Sequence, residues 1–93
     1  MSLQVILSPA AGREFEDAAE WYEQQRAGLG TRFVKQVQAA LDRIGQTPEL
    51  HAVVYKNVRR ARVARSPYNI HYRALPDRVE VLAIVHGYRD PSV

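Results

Sequence analysis

The sequence contains no cysteine, and it has one methionine and one tryptophan among its 93 residues. The lack of cysteine excludes a disulfide framework, a thiolate nucleophile and any metal site built on cysteine. No apolar run approaches the roughly 20 residues that a membrane-spanning helix needs. Residues 1–15 also lack the charged start and the long apolar core of a signal peptide. We therefore expect a cytoplasmic protein that makes no membrane contact.

Most signatures of catalysis are missing as well. The chain has no nucleophile elbow, no phosphate-binding loop and no dinucleotide fingerprint. The histidines His51, His71 and His86 are far apart and have no carboxylate at ligand spacing, so no metal site is predicted. Asp77 and Glu80 lie on a predicted turn and the strand after it, and no carboxylate in the sequence makes a convincing catalytic pair with either. We predict that the protein uses no cofactor.

Lysine is scarce, whereas arginine is abundant and concentrated in the second half. Residues 1–50 carry five basic and seven acidic side chains, for a formal charge of −2. Residues 51–93 carry eight basic and three acidic side chains, for a formal charge of +5. Such asymmetry favours an anionic partner, either nucleic acid or an acidic protein, because Arg suits bidentate contacts to phosphate and carboxylate. The alternative is that these arginines only solvate one face of a sheet.

The first half predicts one strand followed by two helices. Leu3 to Leu7 is a short apolar run that is typical of a buried strand. Ser8 can supply an N-cap oxygen and Pro9 suits the first helical position, so a helix is expected to begin there. It should end at Ala27-Gly28, with the glycine in the left-handed conformation. A second amphipathic helix is predicted from about Thr31 to Ile44.

The second half predicts four strands, and the whole chain predicts a single α+β domain over residues 1–93. Val81 to Val85 contains no polar side chain, which indicates a central strand covered on both faces. The predicted order is β-α-α-β-β-β-β, with an N-terminal strand, an antiparallel two-helix hairpin and then a mainly antiparallel sheet. The four strands are predicted at His51–Lys56, Val58–Arg65, Tyr68–Ala74 and Arg78–His86.

Alternation along the strand that begins at Tyr68 assigns its side chains to two faces. Tyr68 and Tyr72 share one face with Ile70, and we predict that both tyrosines lie in the core or at its edge. The alternate residues are expected on a solvent-exposed face; they are Asn69, His71 and Arg73.

Arginines on neighbouring strands can form one basic surface. On the preceding strand, the odd-numbered Arg59 and Arg65 are expected on one face, and the even-numbered Arg60 and Arg62 on the other. One pair must point away from the helices, together with Arg73. A basic sheet surface of this kind can bind a phosphate backbone or an acidic protein segment.

His86 ends the last predicted strand, close in sequence to Tyr88 and Arg89. A histidine, a tyrosine and an arginine at a strand terminus could perform general acid–base cleavage of RNA. The histidine could equally close the sheet in a structural role. Tyr88 follows the last apolar strand, so we expect it to be exposed.

Taken in order, the motifs resemble those of the RelE/ParE superfamily of type II toxin–antitoxin toxins, and those of its ParE branch most. The resemblance covers nearly the whole chain. Its segments are Ser8-Pro9-Ala10-Ala11, Trp21-Tyr22-Glu23, Gly28 to Phe33, Leu41 to Ile44 with Pro48, Val58-Arg59-Arg60, Arg65 to Ile70, Tyr72-Arg73, Val81 to His86 and Arg89-Asp90-Pro91.

The resemblance implies a toxin that is held inactive by a small, acidic and partly disordered cognate antitoxin. ParE-like members poison DNA gyrase, whereas RelE-like members cut mRNA on the ribosome. Because Lys35 and Lys56 are the only lysines, the gyrase-type function is favoured over the lysine-rich nuclease. DNA is expected to be contacted only through the antitoxin complex. An inactive module that only binds the antitoxin is a third possibility.

The resemblance also implies which side chains bind the antitoxin or the target, and which would serve a nuclease. The binding set is Arg59, Arg60, Arg62, Arg65, Arg73, Tyr88, Arg89 and Trp21. The nuclease set is Arg59, Arg65, Arg73, His86, Tyr88 and Arg89.

Overall fold

The computed structural model describes residues 2–87 of the chain. It confirms the predicted α+β fold and the predicted order of elements. The strand of the second half that begins at Val58 ends at Arg62, three residues before the predicted end at Arg65. The elements are β1 (Gln4–Leu7), α1 (Pro9–Gln25), α2 (Leu29–Gln46), β2 (Val53–Tyr55), β3 (Val58–Arg62), β4 (Tyr68–Ala74) and β5 (Arg78–His86).

The five strands form one sheet in the order β1-β5-β4-β3-β2. β1 lies parallel to β5, and the other neighbouring strands are antiparallel, which confirms a mainly antiparallel sheet. The pairing of β4 with β5 shifts between His71 and Tyr72, which lie opposite Ala83 and Val81. Leu82 is therefore an extra residue in β5, and this bulge changes which side chains face the helices.

Glycine and a carboxylate build the tight connection between the helices. Gly28 has φ 92°, so it is left-handed as predicted, but it caps the start of α2 instead of the end of α1. The carboxylate of Glu23 accepts hydrogen bonds from the backbone amides of Gly28, at 3.0 Å, and Gly30, at 2.9 Å. These bonds satisfy amides that have no partner within α2. The second helix can therefore begin at Leu29, two residues earlier than predicted.

The apolar stripes of both helices pack on one face of the sheet, which we call the helix face. Tyr72 is fully buried there, and Tyr68 is half-buried with its ring centroid 5.2 Å from that of Phe33. This confirms the predicted core and core-edge positions of the two tyrosines. The core includes Ala11, Ala18, Phe33, Val37, Ala40, Ile44, Ala61, Val63, Ile70, Tyr72, Val79, Val81 and Ile84.

The prediction of a solvent-exposed opposite face on β4 is wrong for two residues. Asn69 and His71 are only 3% and 1% exposed. The reason is that β4 is the middle strand of the sheet, so side chains on both neighbouring strands flank them. The prediction that Val81 to Val85 is covered on both faces holds only in part, because Leu82 and Ala83 are only half-buried.

Candidate protein-binding site

Two arginines of β3 lie on the face of the sheet opposite the helices, which we call the outer face. Arg60 pairs with His71 and Arg62 pairs with Asn69, whereas the intervening Ala61 pairs with core Ile70. Directly opposed residues share a face of the sheet. The pair that points away from the helices is therefore Arg60 and Arg62.

Arg59 lies on the helix face and stabilises the segment between α2 and β2. Its guanidinium donates hydrogen bonds to the carbonyl oxygens of His51, at 2.6 Å, and Glu49, at 3.1 Å. It pairs across the sheet with buried Tyr72, which confirms its orientation. Arg59 thus has a structural role in the fold and is not part of the outer-face arginine surface.

Arg73 shares the outer face, but a carboxylate neutralises it. Its Nη2 lies 2.9 Å from Oε1 of Glu80, directly opposite on β5, and Arg78 approaches the same carboxylate at 3.4 Å. The hydrogen bond from Arg73, followed by the charges of both arginines, lowers the pKa of Glu80 below its usual value. Arg62 differs, because it is exposed and makes no ion pair within residues 2–87.

An aromatic cleft lies on the helix side, where α1 meets the ends of β4 and β5. It encloses about 290 Å³. Trp21 is 54% exposed and packs edge-on against Tyr22 at 5.2 Å between ring centroids, and His86 packs edge-on against Tyr68 at 5.5 Å. A large exposed aromatic beside a preformed cavity is typical of protein-binding surfaces. The lining residues are Trp21, Tyr22, Pro67, Tyr68 and His86.

Two carboxylates from α1 extend the aromatic cleft along β5. Glu14 and Asp17 line an adjoining cavity of about 350 Å³ that also contacts Trp21 and His86. The pairing of β1 with β5 ends at Val81, and beyond it the Glu14 carboxylate accepts a hydrogen bond from the Ile84 amide at 3.0 Å. The part of the helix side around the aromatic cleft is thus acidic and aromatic, whereas the outer face is basic.

The predicted nuclease residues do not converge on one point. His86 is exposed and pairs with Tyr68, so it lies on the helix face, whereas Arg73 lies on the outer face. Five residues along β4 separate Tyr68 from Arg73, a distance of about 17 Å at the usual rise of a strand. Arg65 lies in the turn after β3, on the helix side beside Arg32. Tyr88 and Arg89, and the predicted exposure of Tyr88, lie outside the described residues.

Two charged side chains near these surfaces were not singled out from the sequence. Glu14 lies within the predicted first helix, and Arg32 lies within the Gly28 to Phe33 segment of the family resemblance. Their spatial neighbours, Ile84 and Arg65, are distant in the chain, so no local pattern links them. Within residues 2–87 there is no group of three potential metal ligands, and no helix in that range is long and apolar enough to cross a membrane.

A helical hairpin on one face of a five-stranded sheet, with exposed arginine on the opposite face, defines a class of small basic α+β proteins. The model of one family matches residues 5–91, and its description is the ParE toxin of type II toxin–antitoxin system, parDE. The chain belongs to this ParE toxin family, and thus to the ParE branch of the RelE/ParE superfamily. It is therefore a toxin of the type II toxin–antitoxin class.

Solved structures share this fold. A chain of the chromosomal ParDE toxin–antitoxin system from P. aeruginosa superposes with a TM-score of 0.81 at 13% identity, covering 92% of this chain and 97% of that one. The YoeB dimer from Staphylococcus aureus gives a TM-score of 0.66 at 16% identity, covering 95% of this chain and 100% of that one. No curated protein sequence matches the chain significantly.

Proposed function

We propose that this toxin acts by binding DNA gyrase, performs no catalysis of its own, and is neutralised by a small acidic antitoxin. The observation that carries the proposal is the separation of the candidate catalytic groups by the sheet. His86 lies on the helix face, whereas Arg73 lies on the outer face in an ion pair with Glu80, so they cannot act together on one scissile phosphate. Exposed charge and aromatic surface remain, and these suit contact with a protein.

Charge and exposure support an acidic antitoxin as the partner. Arg62 lies exposed on the outer face, and the aromatic cleft offers the half-exposed Trp21 as an apolar anchor. A partly disordered segment could span both surfaces by folding on the toxin. The related P. aeruginosa structure is described as a ParDE toxin–antitoxin system, which supports the same partnership here. Contact with DNA would then occur only through the antitoxin complex.

A supercoiling assay tests the gyrase proposal. The purified protein should inhibit supercoiling by gyrase and leave stalled gyrase–DNA complexes. Arg62→Gln should weaken this inhibition by about tenfold, the cost of one lost charge-assisted contact. Arg13→Gln is the matched control, because Arg13 is an exposed α1 arginine and makes no ion pair within residues 2–87. It should leave the inhibition unchanged.

The competing functions have their own readouts. Codon-phased cuts in mRNA after induction, with supercoiling unaffected at high molar excess, would show a ribosome-dependent nuclease. Normal growth after induction without the antitoxin would show an inactive binding module. The antitoxin part of the proposal requires a neighbouring reading frame whose acidic product forms a complex with this chain and restores growth.

A further inference from the structure

A small pocket lies between the start of α2 and the turn that joins β3 to β4. It encloses about 150 Å³, and its apolar walls include Tyr22, Leu29 and Phe33. A cavity of about this volume holds a group the size of benzene. The pocket therefore has room for one aliphatic or aromatic side chain.

The walls of this pocket are held in place before any partner binds. The rings of Tyr22 and Phe33 pack with their centroids 4.9 Å apart. Ser66 is only 7% exposed, and its hydroxyl accepts a hydrogen bond from the Tyr68 amide at 3.1 Å and lies 3.5 Å from the Tyr22 hydroxyl. A preformed pocket of this kind binds without the entropic cost of ordering its walls.

Two guanidinium groups flank the apolar walls. Arg32 and Arg65 are both exposed and both line the pocket, and the residues that line it include no carboxylate. Within residues 2–87 neither side chain makes an ion pair or a side-chain hydrogen bond. The pocket therefore combines an apolar interior with a rim that favours a carboxylate.

The backbone at Arg65 supplies an independent observation. Its φ is +60°, a left-handed conformation that arginine rarely adopts, whereas glycine would adopt it without strain. Strained positions of this kind cluster where a structure clamps a ligand. The arginine thus stands at the rim of the pocket although another residue would suit the turn better.

We infer that this pocket, which we call the Arg32–Arg65 pocket, anchors an apolar side chain whose neighbouring carboxylate pairs with the two arginines. The occupant is an extended acidic segment of the antitoxin, so the choice of partner rests on the proposed function. The preference for an apolar group joined to a carboxylate follows from the pocket itself. The acidic segment would then contact the helix side through this pocket as well as the basic outer face.

Small probes test the pocket without the antitoxin. 4-Methylpentanoate carries both features, 4-methylpentanamide lacks the charge, and acetate lacks the apolar group. In NMR titrations of the labelled protein, 4-methylpentanoate should shift the amides of Phe33, Arg65 and Ser66 and saturate in the millimolar range. The amide and acetate should each bind at least about tenfold more weakly. Equal binding by either control probe, or no saturable shift with 4-methylpentanoate, would overturn the inference.

The variant Arg65→Gly distinguishes a loss of ligand binding from a loss of stability. Glycine relieves the left-handed strain, so the urea midpoint should not fall below that of the wild type. Binding of 4-methylpentanoate should nevertheless weaken by about 10- to 100-fold, because a charge-assisted hydrogen bond is lost. Arg32→Gln should weaken binding similarly, whereas Arg13→Gln should not. Unchanged probe binding by both pocket variants would contradict the assignment.

The antitoxin itself supplies the second arm of the test. In competition with the purified wild-type complex, the Arg32→Gln and Arg65→Gly toxins should bind the acidic product of the neighbouring frame at least about tenfold more weakly. If they bind it as tightly as the wild type, the anchor is wrong while the toxin–antitoxin partnership stands. If the wild type binds no such product, the partnership fails, and with it the assigned occupant.

Discussion

The hydroxyl of Tyr72 donates a hydrogen bond to the carbonyl oxygen of Pro48 at 2.6 Å. This bond connects the middle strand of the sheet to the segment that follows α2. Nδ1 of His51 lies 3.2 Å from the same hydroxyl. Because the hydroxyl proton is used on Pro48, the His51 nitrogen must be the donor in that second bond. A tyrosine buried in the core thus positions the loop that leads to β2.

Removing this hydroxyl should destabilise the protein. Tyr72→Phe leaves the Pro48 carbonyl and the His51 nitrogen without their partner, so we expect a loss of about 1–2 kcal/mol in the free energy of unfolding. Urea denaturation measures it. Tyr55→Phe is the matched control, because Tyr55 is 38% exposed and its hydroxyl makes no hydrogen bond within residues 2–87. The control should lie within about 0.5 kcal/mol of the wild type, and equal losses would contradict the role of the bond.

The same cluster should make stability depend on pH. Burial, followed by the charges of Arg43 and Arg59, lowers the pKa of His51 below its ordinary value of 6.5. The unfolded chain then binds the proton more readily, so stability is full above 6.5 and falls as the pH drops through 6.5 towards the folded pKa. In urea unfolding at a series of pH values, His51→Gln should show a weaker loss over this range. An unchanged pH profile would refute the effect.

The ion pair on the outer face predicts a specific titration. Because the Arg73 hydrogen bond holds the pKa of Glu80 below its ordinary value of 4.5, Arg73→Gln should raise that pKa towards it. Carbon-13 NMR of the Glu80 carboxyl during an acid titration measures the change. Arg62→Gln is the control, since Arg62 makes no contact with Glu80. An equal rise in both variants would show that general charge, and not the pair, is responsible.

Two glycines should respond to alanine in opposite directions. A Cβ at Gly30 would lie 2.7 Å from the backbone oxygen of Ala19, so Gly30→Ala should cost about 1–3 kcal/mol by forcing the helices apart. A Cβ at Gly12 would meet nothing within 4 Å, so Gly12→Ala should stabilise α1 by about 0.5–1 kcal/mol. Urea denaturation of both variants measures the difference. A stable Gly30→Ala protein would show that the close helix contact is not required.

Local patterns were sufficient to predict the order of elements. Each of the patterns used involves residues that are close in the sequence. They are the apolar periodicity of the helices, the helix start at Ser8-Pro9 and the alternation around Ile70. The pairing of strands cannot be predicted from such local patterns, because the parallel contact of β1 with β5 joins residues from opposite ends of the sequence. The bulge at Leu82 is also invisible in the sequence, since it depends on how β4 lies opposite.

The candidate site shows the same division. The concentration of arginine after residue 50 is a property of the sequence, and strand alternation alone separates Arg59 from Arg60 and Arg62. The support that Arg59 gives to a loop, and the pocket that Arg32 and Arg65 share, become visible only in the folded chain. The two differ because the alternation of side chains along a strand is a local property of the backbone. Contacts between side chains depend on how the helices pack on the sheet, and the neighbouring residues in the sequence carry no information about that packing.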